Sequence, residues 1–281
     1  MKLSLSVRIA EEFASKERAC IPLRELADLA VEAGYRGLCM RASQVGAHSS
    51  KLEVELARIL TEARQLETTM VTGDFAIVYN NADAPGCLRR IQPYLDLAEA
   101  LDSSLIRVAL KHQDDIEWAR KAADEAAKRD IRLAHQCHTE SLFETVAGIE
   151  QTLRAIDRPN FGLIYEPANL ELCGQDYGET TLRRLAPWIF NVYFQNQFIH
   201  DKGAITLNTW TRGPVRFDLI PMDDPRGIDF ARVFRALVHA GYHGPVTVHQ
   251  AGEAWTAPAK TAQRTASFLR RLGEESGVHW K

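Results

Sequence analysis

The chain has 281 residues, 46% of them hydrophobic and 25% charged, with a formal net charge of −3 and a pI near 6.3. That balance excludes long-range disorder, a collagen-like chain and a membrane span, and it leaves no global basic field to recruit nucleic acid. The length prior favours two domains of about 150 residues, although α/β barrels run longer as one. The five cysteines, Cys20, Cys39, Cys87, Cys137 and Cys173, are odd in number and form no Cys-x-x-Cys. A reducing compartment is therefore expected, without a disulfide framework. The start, MKLSLSVRIAEEF, alternates instead of running apolar, so it reads as a first strand rather than a signal peptide, and a cytoplasmic location follows as an expectation.

A short β-rich run, a polar loop and a helical pattern recur along the chain. Residues 2–9 are the first candidate strand, and 22–33 follow as a helix with Leu23, Leu26, Leu29 and Ala30 on one face and Gly34 as its stop. Residues 35–43 form a second strand. The helix 51–66 leads into the third at 68–75, and the helix 87–101 into the fourth at 103–110. A charged helix over 114–129 precedes the fifth strand, 131–138, and a helix over 141–156 precedes the sixth, 161–167. The seventh and eighth strands are 189–196 and 245–251; a helix capped by Asp229 and stopped by Gly241 lies between them, and 257–273 closes the chain helically.

Eight strands alternating with helices predict parallel βαβ construction and, on closure, a single-domain (β/α)8 barrel over residues 1–281. Eight units give about 35 residues each, which suits one βα unit. An open doubly wound sheet is the alternative, weakened by the lack of a Gly-rich phosphate fingerprint after the first strand. Residues 197–228 are too long for an ordinary connection and predict a lid or an interface, with Thr209, Trp210 and the run 221–225 in a covering loop.

Polar residues crowd the predicted strand ends, where barrels place their chemistry. They include Arg8 and Glu11, Arg41, Asp74, Arg107 and Lys111, His135, Gln136 and His138, Glu166 and Asn169, Tyr193 and Gln195, then His249 with Glu253 beyond. Such side chains need partners or a wet cavity, and one polar mouth accounts for all of them together. Period two puts Gln136 with His138 on one face and His135 with Cys137 on the other. Individually, the arginines also fit ion pairs with Glu11, Asp74 or Glu166, Lys111 also fits solvent, and His135 fits a packed core histidine.

The chain resembles the xylose isomerase-like sugar isomerase/epimerase superfamily of (β/α)8 barrels. The resemblance rests on AGYRGLCMRAS (33–43), DIRLAHQCHT (130–139), FGLIYEPANL (161–170), WIFNVYFQN (188–196) and GIDFARVFRAL…AGYHGPVTVH (227–249). It implies a divalent metal held by acids on strands five, six and eight and a His on strand seven. Those positions fall here on Gln136, Glu166, His249 and Tyr193, so only Glu166 keeps acidic character. The implied ligand set is Glu166, His249, Gln136 and Gln195, because the Tyr193 phenol is a poor ligand at neutral pH. Histidine and amide donors favour Mn, Fe, Co, Ni or Zn over Mg, and a metal-free site stays open.

The resemblance implies a sugar or keto-sugar isomerase or epimerase that removes a proton next to a carbonyl. Glu166, His138 and His249 are the acid–base candidates, with Lys111 or an arginine stabilising the intermediate. Arg8, Arg41, Arg107, Asp74, Tyr193 and Trp210 are the expected substrate contacts, for a small sugar or sugar acid. A lyase or dehydratase on the same barrel is the alternative, and a non-catalytic sugar-binding barrel the second. A barrel nuclease would need more His and acidic ligands than these strand ends carry, so neither nucleic acid nor membrane is an expected partner. Barrels often dimerise, which leaves a homo-oligomer open.

Overall fold

The computed structural model describes residues 1–12, 15–251 and 257–281. Eight parallel strands close on themselves: β1 (Lys2–Ser6), β2 (Gly37–Arg41), β3 (Glu67–Thr72), β4 (Leu105–Val108), β5 (Arg132–Gln136), β6 (Phe161–Tyr165), β7 (Ile189–Phe194) and β8 (Pro245–Val248). Closure is explicit, because β1 pairs with β8 through Leu3↔Val246 and with β2 through Leu5↔Leu38. The barrel prediction therefore holds, and the open sheet does not.

Every strand stops short of its predicted C-terminal end. The chain leaves the ladder after Ser6 and turns through a 3-10 segment, Val7–Ala10, and β8 ends at Val248 rather than at 251. Leaving early carries the polar residues over the mouth instead of into a packed interior, where each would lose its hydration. The predicted helix 87–101 divides into Gly86–Arg89 and Gln92–Ala100. Pro93 explains the break, since it has no N–H to donate and suits the first turn of a new helix. Asp229 caps Phe230–His239 as expected, accepting from Arg232 N at 2.9 Å, and Gly241 takes the positive φ (+67°) that ends that helix. Three short helices, Phe75–Tyr79, Pro167–Leu172 and Glu179–Leu185, were not expected.

Inside the barrel, Cys39, Met70, Leu105, Ala134, Ile164 and Tyr193 form one buried apolar layer. The larger core lies outside it, between the strands and the helical ring. The interior layer fixes what comes next. Two residues on, the same inward face carries Arg41, Arg107, Gln136, Glu166 and Gln195. Five strands thus deliver one polar side chain each to a common level.

The excursion after β7 is a three-stranded antiparallel sheet, Gln197–Ile199, Ile205–Thr209 and Gly213–Leu219, with the last strand in the middle. Its return to the barrel is fixed by Asn196, which is fully buried. The Asn196 amide donates to the carbonyls of Pro221 (2.8 Å), Met222 (3.3 Å) and Asp224 (3.0 Å) and accepts from Gln197 N and Ile228 N. Asn196→Asp keeps the shape and removes every donor, so a carboxylate would face three carbonyl oxygens. A loss of about 3 kcal/mol is expected in urea unfolding. An unchanged midpoint would show that Asn196 does not hold the sheet.

Candidate active site

A cavity of about 340 Å³ opens at the C-terminal mouth of the barrel. Its floor is the polar layer described above, joined by Arg8, His138, Asn169 and His249. Its roof is apolar: Ile205, Leu207, Phe217 and Leu219 of the excursion sheet line it. A two-stranded hairpin, Glu11–Glu12 with Ser15–Ala19, brings Lys16 to one side. A polar floor beneath an apolar roof suits a small molecule with hydroxyls on one face and C–H groups on the other.

Glu166 lies just past β6, with 1% of its surface exposed. Its Oε2 accepts from the Gln136 amide and from Asn169 Nδ2 (2.6 Å). Asn169 is in turn fixed by the Cys137 carbonyl at 2.7 Å. Burial pushes the Glu166 carboxyl up to about 7, against the pull of Gln136, Arg8 and Arg107. The group is thus poised to gain or lose a proton near neutrality.

His249 is also buried, and its ring stacks on Tyr193 at 4.0 Å. Arg41 Nη1 lies 3.4 Å from its Nε2, and Ser6 Oγ 3.2 Å from its Nδ1. A guanidinium only donates, so Nε2 is the acceptor and the ring proton is on Nδ1. Burial, reinforced by Arg8, Arg41 and Arg107, keeps this ring neutral. His138 Nδ1 lies 2.9 Å from Asn80 Nδ2 and 3.1 Å from the Thr139 carbonyl, and burial and Arg107 keep the ring neutral too.

Four basic side chains share the mouth with Glu166. Arg41 is paired with Glu11, its Nε and Nη2 lying 2.7 and 3.0 Å from the two carboxylate oxygens, and Ser43 Oγ completes the pair. Arg8 donates to two neutral acceptors, Gln195 Oε1 (2.7 Å) and the His249 carbonyl (3.3 Å). Arg107 is 2% exposed and has no hydrogen-bond or ion-pair partner among the described residues; its Nε is buried and unsatisfied. Burial lowers Lys16 to about 7, helped by Arg8, Arg41 and Arg107.

Several expected site residues are placed elsewhere. Tyr193 sits one layer below the cavity, its hydroxyl 3.2 Å from Cys39 Sγ. Asp74 caps the helix Phe75–Tyr79 through Ile77 N (2.7 Å) and accepts from Tyr94, so it serves the fold. Lys111 is largely buried away from the cavity lining and donates from Nζ to the Glu140 carbonyl at 3.0 Å. Trp210 occupies the turn at the far tip of the excursion, 55% exposed, while other residues of that sheet form the roof. His135 is a packed histidine, bonded to the Val108 carbonyl and lowered by burial to about 3. Glu253 lies outside the described residues. Lys16 and the roof residues were missed by the sequence reading, because the hairpin and the excursion sheet that carry them show no helical or barrel period.

The side chains that the described residues bring to the mouth do not fit a divalent cation. Gln136 turns its amide N–H toward Glu166, the Gln195 oxygen is taken by Arg8, and His249 Nε2 faces Arg41. Among the described residues no group of three His, Cys, Asp or Glu side chains is placed to share a metal ion. Among the described residues Glu166 is the one carboxylate at the floor that no cation pairs directly, and a hard cation needs several such oxygens.

A family model described as xylose isomerase-like TIM barrel matches residues 27–272. Among solved structures, the chain is similar to the probable 3-DHS dehydratase AsbF from Bacillus anthracis at 17% identity and TM-score 0.72, covering 96% of this chain and 99% of that one. It is similar to an L-ribulose 3-epimerase at 13% identity and TM-score 0.72, covering 98% and 95%. A xylose isomerase-like TIM barrel protein from Mycobacterium smegmatis, in complex with magnesium, matches at 11% identity and TM-score 0.72, covering 99% and 98%. These likenesses show the fold. No curated protein is significantly similar in sequence. No described helix is long and apolar enough to cross a membrane.

Proposed function

The chain belongs to the xylose isomerase-like TIM-barrel family, and we propose that its mouth is the active site of an isomerase or epimerase acting on a small sugar-derived carbonyl compound. The observation that carries this reading is Glu166, a buried carboxyl held by two amides beneath a sugar-sized cavity and raised to about 7.

Glu166 takes the proton from the carbon next to the substrate carbonyl. The electron pair left behind moves onto the carbonyl oxygen, and guanidinium groups of the mouth offset the charge that develops there. Gln136 and Asn169 keep the carboxylate oriented, so little reorganisation is needed at the moment of transfer. The apolar roof excludes water and protects the enediolate from stray protonation. For isomerisation Glu166 returns the proton to the former carbonyl carbon, while the hydroxyl proton on the adjacent carbon passes to the former carbonyl oxygen and the new carbonyl forms there. Epimerisation needs a donor on the opposite face, and the His138 ring, which lines the same mouth, is the group assigned to that role.

A dehydratase is the second reading. It begins with the same proton abstraction and differs in that a β-hydroxyl leaves. The proton that Glu166 has taken is returned to the departing hydroxyl, which leaves as water, and the cationic floor offsets the charge of the enolate that precedes this step. A solved relative in fold is a probable dehydratase.

The test is incubation in deuterated water with a panel of ketoses, aldoses and sugar acids. Deuterium at the carbon next to the carbonyl is expected in at least one recovered compound, and dehydration would show as an unsaturated product. Absence of both throughout the panel overturns the proton-transfer reading and leaves a binding barrel.

No step is assigned to a metal ion. Dialysis against EDTA is expected to leave the rate unchanged, measured on the same substrate. A loss restored by Mg or Mn would return a metal to the mechanism.

A further inference from the structure

We propose that the mouth is an anion receptor, in which Arg107, Arg8 and Lys16 hold a carboxylate or phosphate of the ligand, so that the ligand is a sugar acid or sugar phosphate and not a neutral sugar. This deepens the preceding reading but needs only its premise that a sugar-sized molecule enters the cavity.

Arg107 carries most of the weight. A fully buried guanidinium without a partner is costly, because its hydration is lost and nothing replaces it. The fold supplies no carboxylate for it: Glu11 is engaged by Arg41 and Ser43, Glu12 is exposed at the rim, and Glu166 takes its hydrogen bonds from Gln136 and Asn169. Arg107 reaches the floor of the mouth cavity, where a ligand can supply what the fold does not.

Two further cations point to the same ligand chemistry. Arg8 touches only neutral acceptors, so its charge is uncompensated at contact distance. Lys16 stands over the Tyr79 ring at 5.3 Å and has no carboxylate partner among the described ion pairs. Crowding by like charges raises the cost of burying all three. An anion bound among them would relieve that repulsion. Bidentate guanidinium contacts suit the planar oxygens of a carboxylate and the tetrahedral oxygens of a phosphate. The misfit for a divalent metal has the same origin, since a floor built of cations repels one.

The test uses four probes at constant ionic strength set with NaCl: inorganic phosphate, D-gluconate, D-glucose 6-phosphate and D-glucitol. Gluconate and glucitol share a carbon skeleton and differ at the carboxylate, so their comparison isolates the anionic group. Calorimetric titration is expected to show an anionic probe binding about tenfold or more tightly than glucitol. Whether gluconate or glucose 6-phosphate wins identifies the carboxylate or the phosphate as the group recognised.

Arg107→Met is expected to abolish that preference and to raise the thermal midpoint of the free protein, because an unpaired buried charge has been removed. Lys16→Met, on the half-exposed hairpin, is expected to weaken the anionic probes and leave glucitol unchanged. Equal affinity for gluconate and glucitol, no response to any anion beyond the NaCl control, or an Arg107→Met variant that is destabilised or keeps the preference would each overturn the proposal. Glu166→Gln should retain the anion preference. Anion binding without deuterium exchange would sink the proposed reaction and leave the receptor standing, so the two failures are distinguishable.

Discussion

Glu166→Gln is expected to lower kcat/KM by about 10³-fold or more and at the same time to make the protein more stable above pH 7. Both effects follow from one displacement. The Glu166 carboxyl titrates near 4.5 when the chain is unfolded and near 7 in the fold, because burial disfavours its charged form. The folded state therefore binds the proton more tightly than the unfolded one. The stability this provides is fully present below the unfolded value and is lost as pH rises through the folded value. At pH 8 the ionised carboxylate costs about 3 kcal/mol relative to its protonated form. Glutamine has nearly the same shape and never ionises, so it keeps what glutamate loses. Unfolding of both proteins at pH 5 and pH 8 checks the sign: the variant should gain on the wild type only at the higher pH. The rate of the wild type should rise between pH 5 and 7 as Glu166 deprotonates, and the variant should lack that rise. A variant less stable at pH 8, or a difference independent of pH, would mean that burial does not control this carboxyl.

The barrel was legible because its evidence is distributed. Eight strand–helix units repeat the same alternation of period, so misplacing one boundary leaves the count intact. The floor of the site was legible for a related reason. Arg41, Arg107, Gln136, Glu166 and Gln195 each stand two residues beyond an apolar residue that faces the barrel axis, and period two carries that facing outward. Legibility stopped where the ladder stops. Asp74 and Lys111 lie past the ends of β3 and β4, and the direction of the chain there depends on local caps rather than on period. An aspartate followed by Phe75, Ala76, Ile77 and Val78 is itself a helix-start pattern, and reading it would have assigned Asp74 to the cap. Nothing local marks Lys16. Its neighbours in SKERA are polar, and only pairing with Glu11 and Glu12 brings it to the cavity. The sequence leaves the excursion as a lid or an interface and singles out Trp210 for its bulk, whereas Ile205, Leu207, Phe217 and Leu219 are the excursion residues that line the cavity.

Glu11→Gln is expected to cost about 3–5 kcal/mol of stability, the range for breaking a buried ion pair from one side. The pair is nearly dry, with side-chain exposures of 1% for Arg41 and 4% for Glu11. Removing the charge of Glu11 leaves Arg41 with a glutamine and the neutral His249, beside Arg8 and Arg107. Arg41→Met in the Glu11→Gln background should recover part of the loss, since two apolar or neutral groups tolerate burial where one unpaired charge does not. Urea unfolding of the two single variants and the double variant closes the cycle, and a coupling near zero would show that the two charges are solvated in spite of their burial. The same substitution has an opposite effect on the cavity. With Glu11 neutral, Arg41 becomes a third uncompensated guanidinium at the floor, so phosphate and gluconate should bind more tightly to a protein that unfolds more easily. An anion at saturating concentration should then return part of the lost stability, because it binds the folded state alone. A variant equally destabilised with and without phosphate would place Arg41 outside the reach of the ligand and confine the anion site to Arg107, Arg8 and Lys16.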